Sequence, residues 1–163
     1  MSTEIKTILY ATDMGEHMRP VFRFAVSLAE KYGAKISMLH VTEPLTPQVR
    51  WAIEAYMPDS NAQQVHHEGF KKIQDEMQVR LADFCKEEMG KSPEECDLVS
   101  NFSVVPGRPA ETITEAAEKM DADLIVVGTH TDPSFGAYLL GSTARKVTQL
   151  SKKPVLVIPV CAH

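Results

Sequence analysis

The chain lacks most of the signatures that identify a protein quickly, and each absence excludes something. Cysteine is scarce: Cys85, Cys96 and Cys161 stand apart in 163 residues, with no C-x-x-C pair. An odd, scattered set argues against a disulfide framework or a zinc finger and for buried or idle thiols. No apolar run is long enough to span a bilayer, so no membrane span is expected. The first residues, MSTEIKTILYATD, pass from a polar start straight into a strand pattern. They lack the apolar middle of a signal peptide, and a cytoplasmic address is the expectation. There is no excess of positive charge. The net charge of −5 predicts no general attraction to nucleic acid or anionic lipid. The six histidines are scattered, and only His66 and His67 adjoin. Neighbours on a helix point about 100° apart, so that pair does not face one ion. It is taken as solvated surface, and no metal site is assigned.

The common phosphate and nucleophile motifs are missing too. No Gly-Lys-Ser/Thr follows a glycine turn, and no G-x-G-x-x-G occurs. The first strand runs into ATDMGE where a pyrophosphatase-type loop would read S-G-G-x-D-S, and H-x-G-H is absent. No Ser-His-Asp or Cys-His constellation can be assigned. These gaps argue against a dedicated enzyme.

What is present is a regular alternation. Ile5–Ala11, Lys35–Val41, Leu98–Val105, Leu124–Val127 and Pro154–Val160 are apolar or β-branched runs bounded by turn residues. Between them lie helical spacings. Val21, Ala25, Leu28, Ala29 and Tyr32 lead to a terminating Gly33. Phe70, Ile73, Met77, Leu81 and Phe84 form a stripe on a helix from about His66 to about Met89. Ile113, Ala116, Ala117 and Met120 form another after Pro109, and a last helix follows Gly141. The span 44–65 is harder to place. Trp51, Ile53, Tyr56 and Met57 make it too apolar for a free linker, and a short helix over Gln48–Tyr56 is expected, covering a sheet end or meeting a partner. Strand–helix alternation with nearly all-apolar strands predicts one α/β domain over residues 1–163, a parallel sheet covered on both faces.

One stretch carries the chemistry: GTHTDPSFGAYLLGST, residues 128–143. The pattern reads as a strand ending at Val127, a glycine turn, a loop, then Gly141-Ser142-Thr143 opening a helix. The first N–H groups of a helix have no internal partners, and its dipole places positive potential there. A phosphate fits such a place. So does an ordinary N-cap, and the local pattern leaves both readings open. In open parallel sheets ligands sit beyond the carboxyl ends of the strands. Right-handed crossovers bring Thr12-Asp13, Val41-Thr42, Pro106-Gly107 and Gly128-Thr129-His130 to one sheet edge. The stretch and Asp13 are therefore expected to share a crevice. At the other end of the chain, PVLVIPV is an apolar strand carrying Pro159, which suits an edge. Pairing of Pro154–Val160 with the same strand of a second chain would cover it, so a homodimer is expected.

These residues resemble the universal stress protein family, the UspA-like branch of the adenine-nucleotide α-hydrolase-like folds, over essentially the full length. KTILYATD looks like its opening strand and aspartate. FAVSLAEKYGAKISMLHV looks like its first helix and second strand. GRPAETITEAAEKMDADLIVVGTH and GSTARKVTQLSKKPVLVIPV look like its later helix–strand units. The resemblance implies a Rossmann-like five-stranded sheet of order 3-2-1-4-5. It also implies an ATP-binding regulatory dimer of the stress response, with a divalent metal such as Mg2+ as companion. ATP-binding members carry G-x2-G-x9-G followed by Ser or Thr. Gly128 fits the first glycine and Gly141 the third, with Ser142 after it. Thr131 replaces the second, and a β-branched residue is poor at a close phosphate approach. Asp132 and Pro133 add a negative charge and a stiff turn beside it. The resemblance places Ala11, Thr12 and Asp13 near the nucleoside and Val41 in the adenine slot. It places Val127, Gly128, Thr129, His130 and Thr131 beside ribose and phosphate, and Gly141, Ser142 and Thr143 on the phosphates. Thr131 and Asp132 favour the alternative, a nucleotide-free interaction module with an unidentified protein partner. A slow ATPase, with Asp13 or Asp132 holding the metal, is the third reading.

Overall fold

A computed structural model of the chain describes residues 3–59, 62–131 and 140–161. Five parallel strands form one sheet in the order β3-β2-β1-β4-β5, the order that the resemblance implied. They are β1 (Thr7–Ala11), β2 (Lys35–Thr42), β3 (Val99–Pro106), β4 (Leu124–Thr131) and β5 (Val155–Cys161). The helices are α1 (Arg19–Tyr32), α2 (Pro47–Tyr56), α3 (Ala62–Phe84), α4 (Pro109–Lys119) and α5 (Ser142–Leu150).

Period-two alternation along the strands builds two cores. Ile8 and Tyr10 of β1 face α1 and α3, where they meet Val21, Phe22, Met77 and Phe84. Leu9 and Ala11 face α4 and α5, where they meet Ile113, Ala117, Ala144 and Val147. Both faces are covered, which is why the central strands can be apolar on both sides. The start of β1 is pinned to β4: the Asp123 carboxylate accepts from the Lys6 and Thr7 N–H groups at 2.8 and 2.9 Å. Those two bonds hold its pKa below the ordinary aspartate value. Gly33 closes α1 at φ 65°, the left-handed conformation that glycine adopts at no steric cost.

Three expectations need correction. β4 does not end at Val127. It runs through Gly128, Thr129 and His130 to Thr131, with β5 in register from Ile125↔Val155 to Thr131↔Cys161. Glycine weakens a strand interior, but here the ladder with β5 carries β4 through Gly128. The three cysteines are not all idle thiols, since Cys85 and Cys96 form a buried disulfide between the end of α3 and the segment before β3. The short helix expected in 44–65 is present, but of its two expected roles covering a sheet end is not met among the described residues: α2 has no buried residue, and Trp51 and Tyr56 stand open to solvent. No described helix is long and apolar enough to cross a membrane.

Candidate functional site

The pairing of β1 with β4 stops at Tyr10↔Val126, whereas β4 and β5 continue together to Thr131↔Cys161. The overhang carries β4 and β5 past the end of β1. The turn after β1 lies beside it, and each of its residues is held. Thr12 is buried; its N–H donates to the Leu39 carbonyl at 2.9 Å and its carbonyl accepts from His40 Nδ1 at 2.8 Å. Its hydroxyl accepts from the Met14 N–H at 3.0 Å. Met14 sits at φ 67°, a left-handed conformation that costs a side-chain-bearing residue energy and needs outside support. Arg80 of α3 gives that support by donating to the Met14 carbonyl.

Asp13 projects from this turn. Its Oδ1 accepts from the Gly15 N–H at 2.8 Å, and its Oδ2 lies 3.0 Å from His17 Nε2 and 3.6 Å from His130 Nε2. Partial burial pushes the Asp13 carboxyl upward. The Gly15 N–H and the two imidazoles outweigh that effect and hold it below the ordinary aspartate value.

On the other side of the sheet edge stands the start of α5. Gly141 is the N-cap residue and brings no side chain of its own to cap the helix. Its own N–H donates to the buried Thr129 hydroxyl at 2.7 Å, which ties the helix to β4. The Gly141 carbonyl takes the first helical bond, from the Arg145 N–H at 2.9 Å. Ser142 and Thr143 are exposed at the mouth. Val41, Ala11 and Val127 form an apolar wall below, on the α4–α5 side.

The expected residues thus converge on one sheet edge but divide between its faces. Ala11, Val41, Val127, Thr129, Gly141, Ser142 and Thr143 belong to the α5 side. Gly128 and His130 turn to the α1 side with Asp13. A Cβ on Gly128 would meet Met18 Sδ at 3.1 Å, Val21 Cγ2 at 3.1 Å and Val160 Cγ2 at 3.2 Å. Gly128 therefore packs the sheet against α1 and does not serve as a turn. A Cβ on Gly141 would meet the Thr129 hydroxyl at 3.1 Å. The Thr131 side chain, Asp132 and Pro133 lie outside the described residues.

Two features were missed by sequence reasoning. His17 joins Asp13 and His130; the available signal was its i,i+4 spacing from Asp13. A cavity of about 420 Å³ opens on the α1–α3 side, bounded by Tyr10, Met38, Phe22, Phe84 and Arg80, and Thr12 alone of the expected residues lines it. Burial pushes the Tyr10 hydroxyl there up to about 12.

Comparison with known proteins gives one consistent result. The model of the universal stress protein family matches residues 4–159. A universal stress protein of Thermus aquaticus, named for its place in the QAH/OAS sulfhydrylase 3′ region, is 30% identical over 153 residues, covering 94% of this chain and 98% of its own. The universal stress protein UspA of Lactobacillus plantarum superposes with a TM-score of 0.63 at 22% identity, covering 95% and 98% of the two chains. A universal stress protein solved in complex with cAMP superposes at 0.57 with 22% identity, covering 96% and 98%.

Proposed function

Because the chain belongs to the universal stress protein family, we propose that it binds an adenine nucleotide, ATP, at the sheet edge past β1 and acts as a regulatory rather than a catalytic protein. The observation that carries this reading is the α5 mouth: a helix start whose N-cap residue is glycine, with two exposed hydroxyls, beside an apolar wall. The free N–H groups and the dipole of α5 hold the phosphates, assisted by Ser142 and Thr143. Val41 and Ala11 take the adenine, and Asp13 accepts from the ribose hydroxyls. The relative solved with cAMP supports an adenine guest in this fold. Equilibrium dialysis of the untagged protein with labelled ATP tests the proposal. Saturable binding that weakens in Ser142→Ala/Thr143→Ala is expected, and no binding at millimolar nucleotide refutes it.

Among the described residues, the carboxylate offered to a companion Mg2+ is Asp13, flanked by two imidazoles. Mg2+ takes oxygen ligands, so the two imidazoles make this cluster a poor match for it. No step is assigned to it.

A second reading keeps the family and drops the nucleotide. Gly128 is turned into the α1 packing and Thr131 replaces the second motif glycine, so the motif supports less than its spacing suggests. On this reading the chain is an interaction module, and Trp51 and Tyr56 on α2 supply apolar contact surface. Adenine nucleotide retained through purification counts against it. Both readings include a homodimer through β5, which is an edge of the sheet.

A further inference from the structure

We propose that Asp13, His17 and His130 form a binding site for a divalent first-row transition ion of the zinc type, one that fills without a bound nucleotide. The three come from different parts of the fold: the turn after β1, the short 3-10 turn Glu16–Met18, and the far end of β4. One donor atom from each lies within 4.8 Å of the other two. Zinc takes imidazole nitrogen and carboxylate oxygen at about 2.0–2.1 Å, which sets tetrahedral ligand atoms about 3.3 Å apart. The Asp13–His17 and Asp13–His130 separations, 3.0 and 3.6 Å, bracket that value. The two rings meet edge to face with centroids 4.4 Å apart. Two imidazoles and one carboxylate suit a zinc-type ion and not Mg2+ or Ca2+. Three protein ligands leave a further position for water or an anionic guest.

The surroundings hold these ligands in place. The Gly15 N–H fixes the second oxygen of Asp13 at 2.8 Å, the kind of support that metal-binding carboxylates commonly have. Gly15 also makes room for His17. A Cβ there would stand 2.1 Å from His17 Cε1 and 2.6 Å from its Nδ1. The φ of Gly15 is −73°, which any residue adopts, so glycine is needed for space and not for backbone conformation. Met14 in its left-handed conformation, braced by Arg80, sets the turn that presents Asp13. The plainer alternative is a surface His–Asp ion pair, and the experiment separates the two.

The test is titration of the untagged, nucleotide-free protein with Co2+, followed by visible absorption, and with Zn2+, followed by calorimetry. One ion per chain is expected, with the ligand-field bands of low-coordinate cobalt. His17→Gln and His130→Gln should each weaken binding by about 100-fold or more, and Gly15→Ala by about 10–100-fold through displacement of His17. Asp13 serves both readings but His17 serves only this one, so His17→Gln should keep the ATP binding that rests on Ser142 and Thr143. That result separates failure of the metal site from failure of the nucleotide site. Circular dichroism confirms that each variant is folded. The proposal is overturned if native protein and His17→Gln bind the ions equally, if uptake requires added nucleotide, or if binding is lost instead in His66→Gln/His67→Gln.

Discussion

Substitution of Gly128 by alanine separates a packing role from a binding role. In the sequence Gly128 is the first glycine of a nucleotide motif, and its loss would be expected to weaken phosphate binding. In the fold its missing side chain faces Met18, Val21 and Val160 at 3.1–3.2 Å. Carbon atoms in ordinary contact stand about 3.5–4.0 Å apart, so α1 or β5 must move by a few tenths of an ångström. Val21 is wholly buried in α1 and Val160 is buried in β5, and neither can swing into solvent. Overpacking of this kind costs about 1–3 kcal/mol. For a chain of this length each kcal/mol lowers Tm by about 2–4 °C, so Gly128→Ala should melt about 2–12 °C lower. Gly141→Ala is the counterpart. Its new methyl meets a single close atom, the Thr129 hydroxyl at 3.1 Å, against three at Gly128, so Tm should fall less than in Gly128→Ala while ATP affinity falls. Thermal melts by circular dichroism and ATP dialysis on both variants decide the matter. An unchanged Tm in Gly128→Ala, with ATP binding alone reduced, would refute the packing assignment.

Three further outcomes are expected. Thiol titration of denatured, unreduced protein should find one free thiol per chain. Cys96→Ala should lose about 3 kcal/mol, the loop-closure value for the 11-residue separation from Cys85, and three free thiols would exclude the bridge. Glu88 accepts from Arg23 and Arg19, and these guanidinium groups hold its carboxyl down to about 2 against an ordinary 4.5. A folded pKa below the unfolded one stabilises above pH 4.5, and the contribution is lost as pH falls from there towards 2. Glu88→Gln should therefore cost up to about 1 kcal/mol at pH 7 and nothing near pH 2, and a cost independent of pH would remove the ion pairs as its cause. Sedimentation equilibrium should give twice the 18.1 kDa chain mass, with a monomer at tens of micromolar contradicting pairing through β5.

Sequence by itself determined the class of the fold. Apolar runs, helical spacings and terminating glycines are local, and each records the environment its own segment must meet. That is why the alternation of strands and helices, the buried stripe ending in Met77 and Phe84, and the helix starting at Ser142 were legible. That Asp13 and the α5 mouth lie at one edge of the sheet followed from topology alone, since parallel strands bring their carboxyl ends to that edge. Tertiary structure decided what depends on partners distant in the chain. Gly128 continues a strand because β5 offers a ladder, and its direction follows from which face α1 occupies. Cys85 bonds Cys96 because the end of α3 and the approach to β3 fold against each other. His17 reaches His130 across 113 residues of chain because β4 overruns β1 by the length of one turn. No local pattern records such a meeting, because the energy that selects it comes from contacts formed only when the sheet is complete.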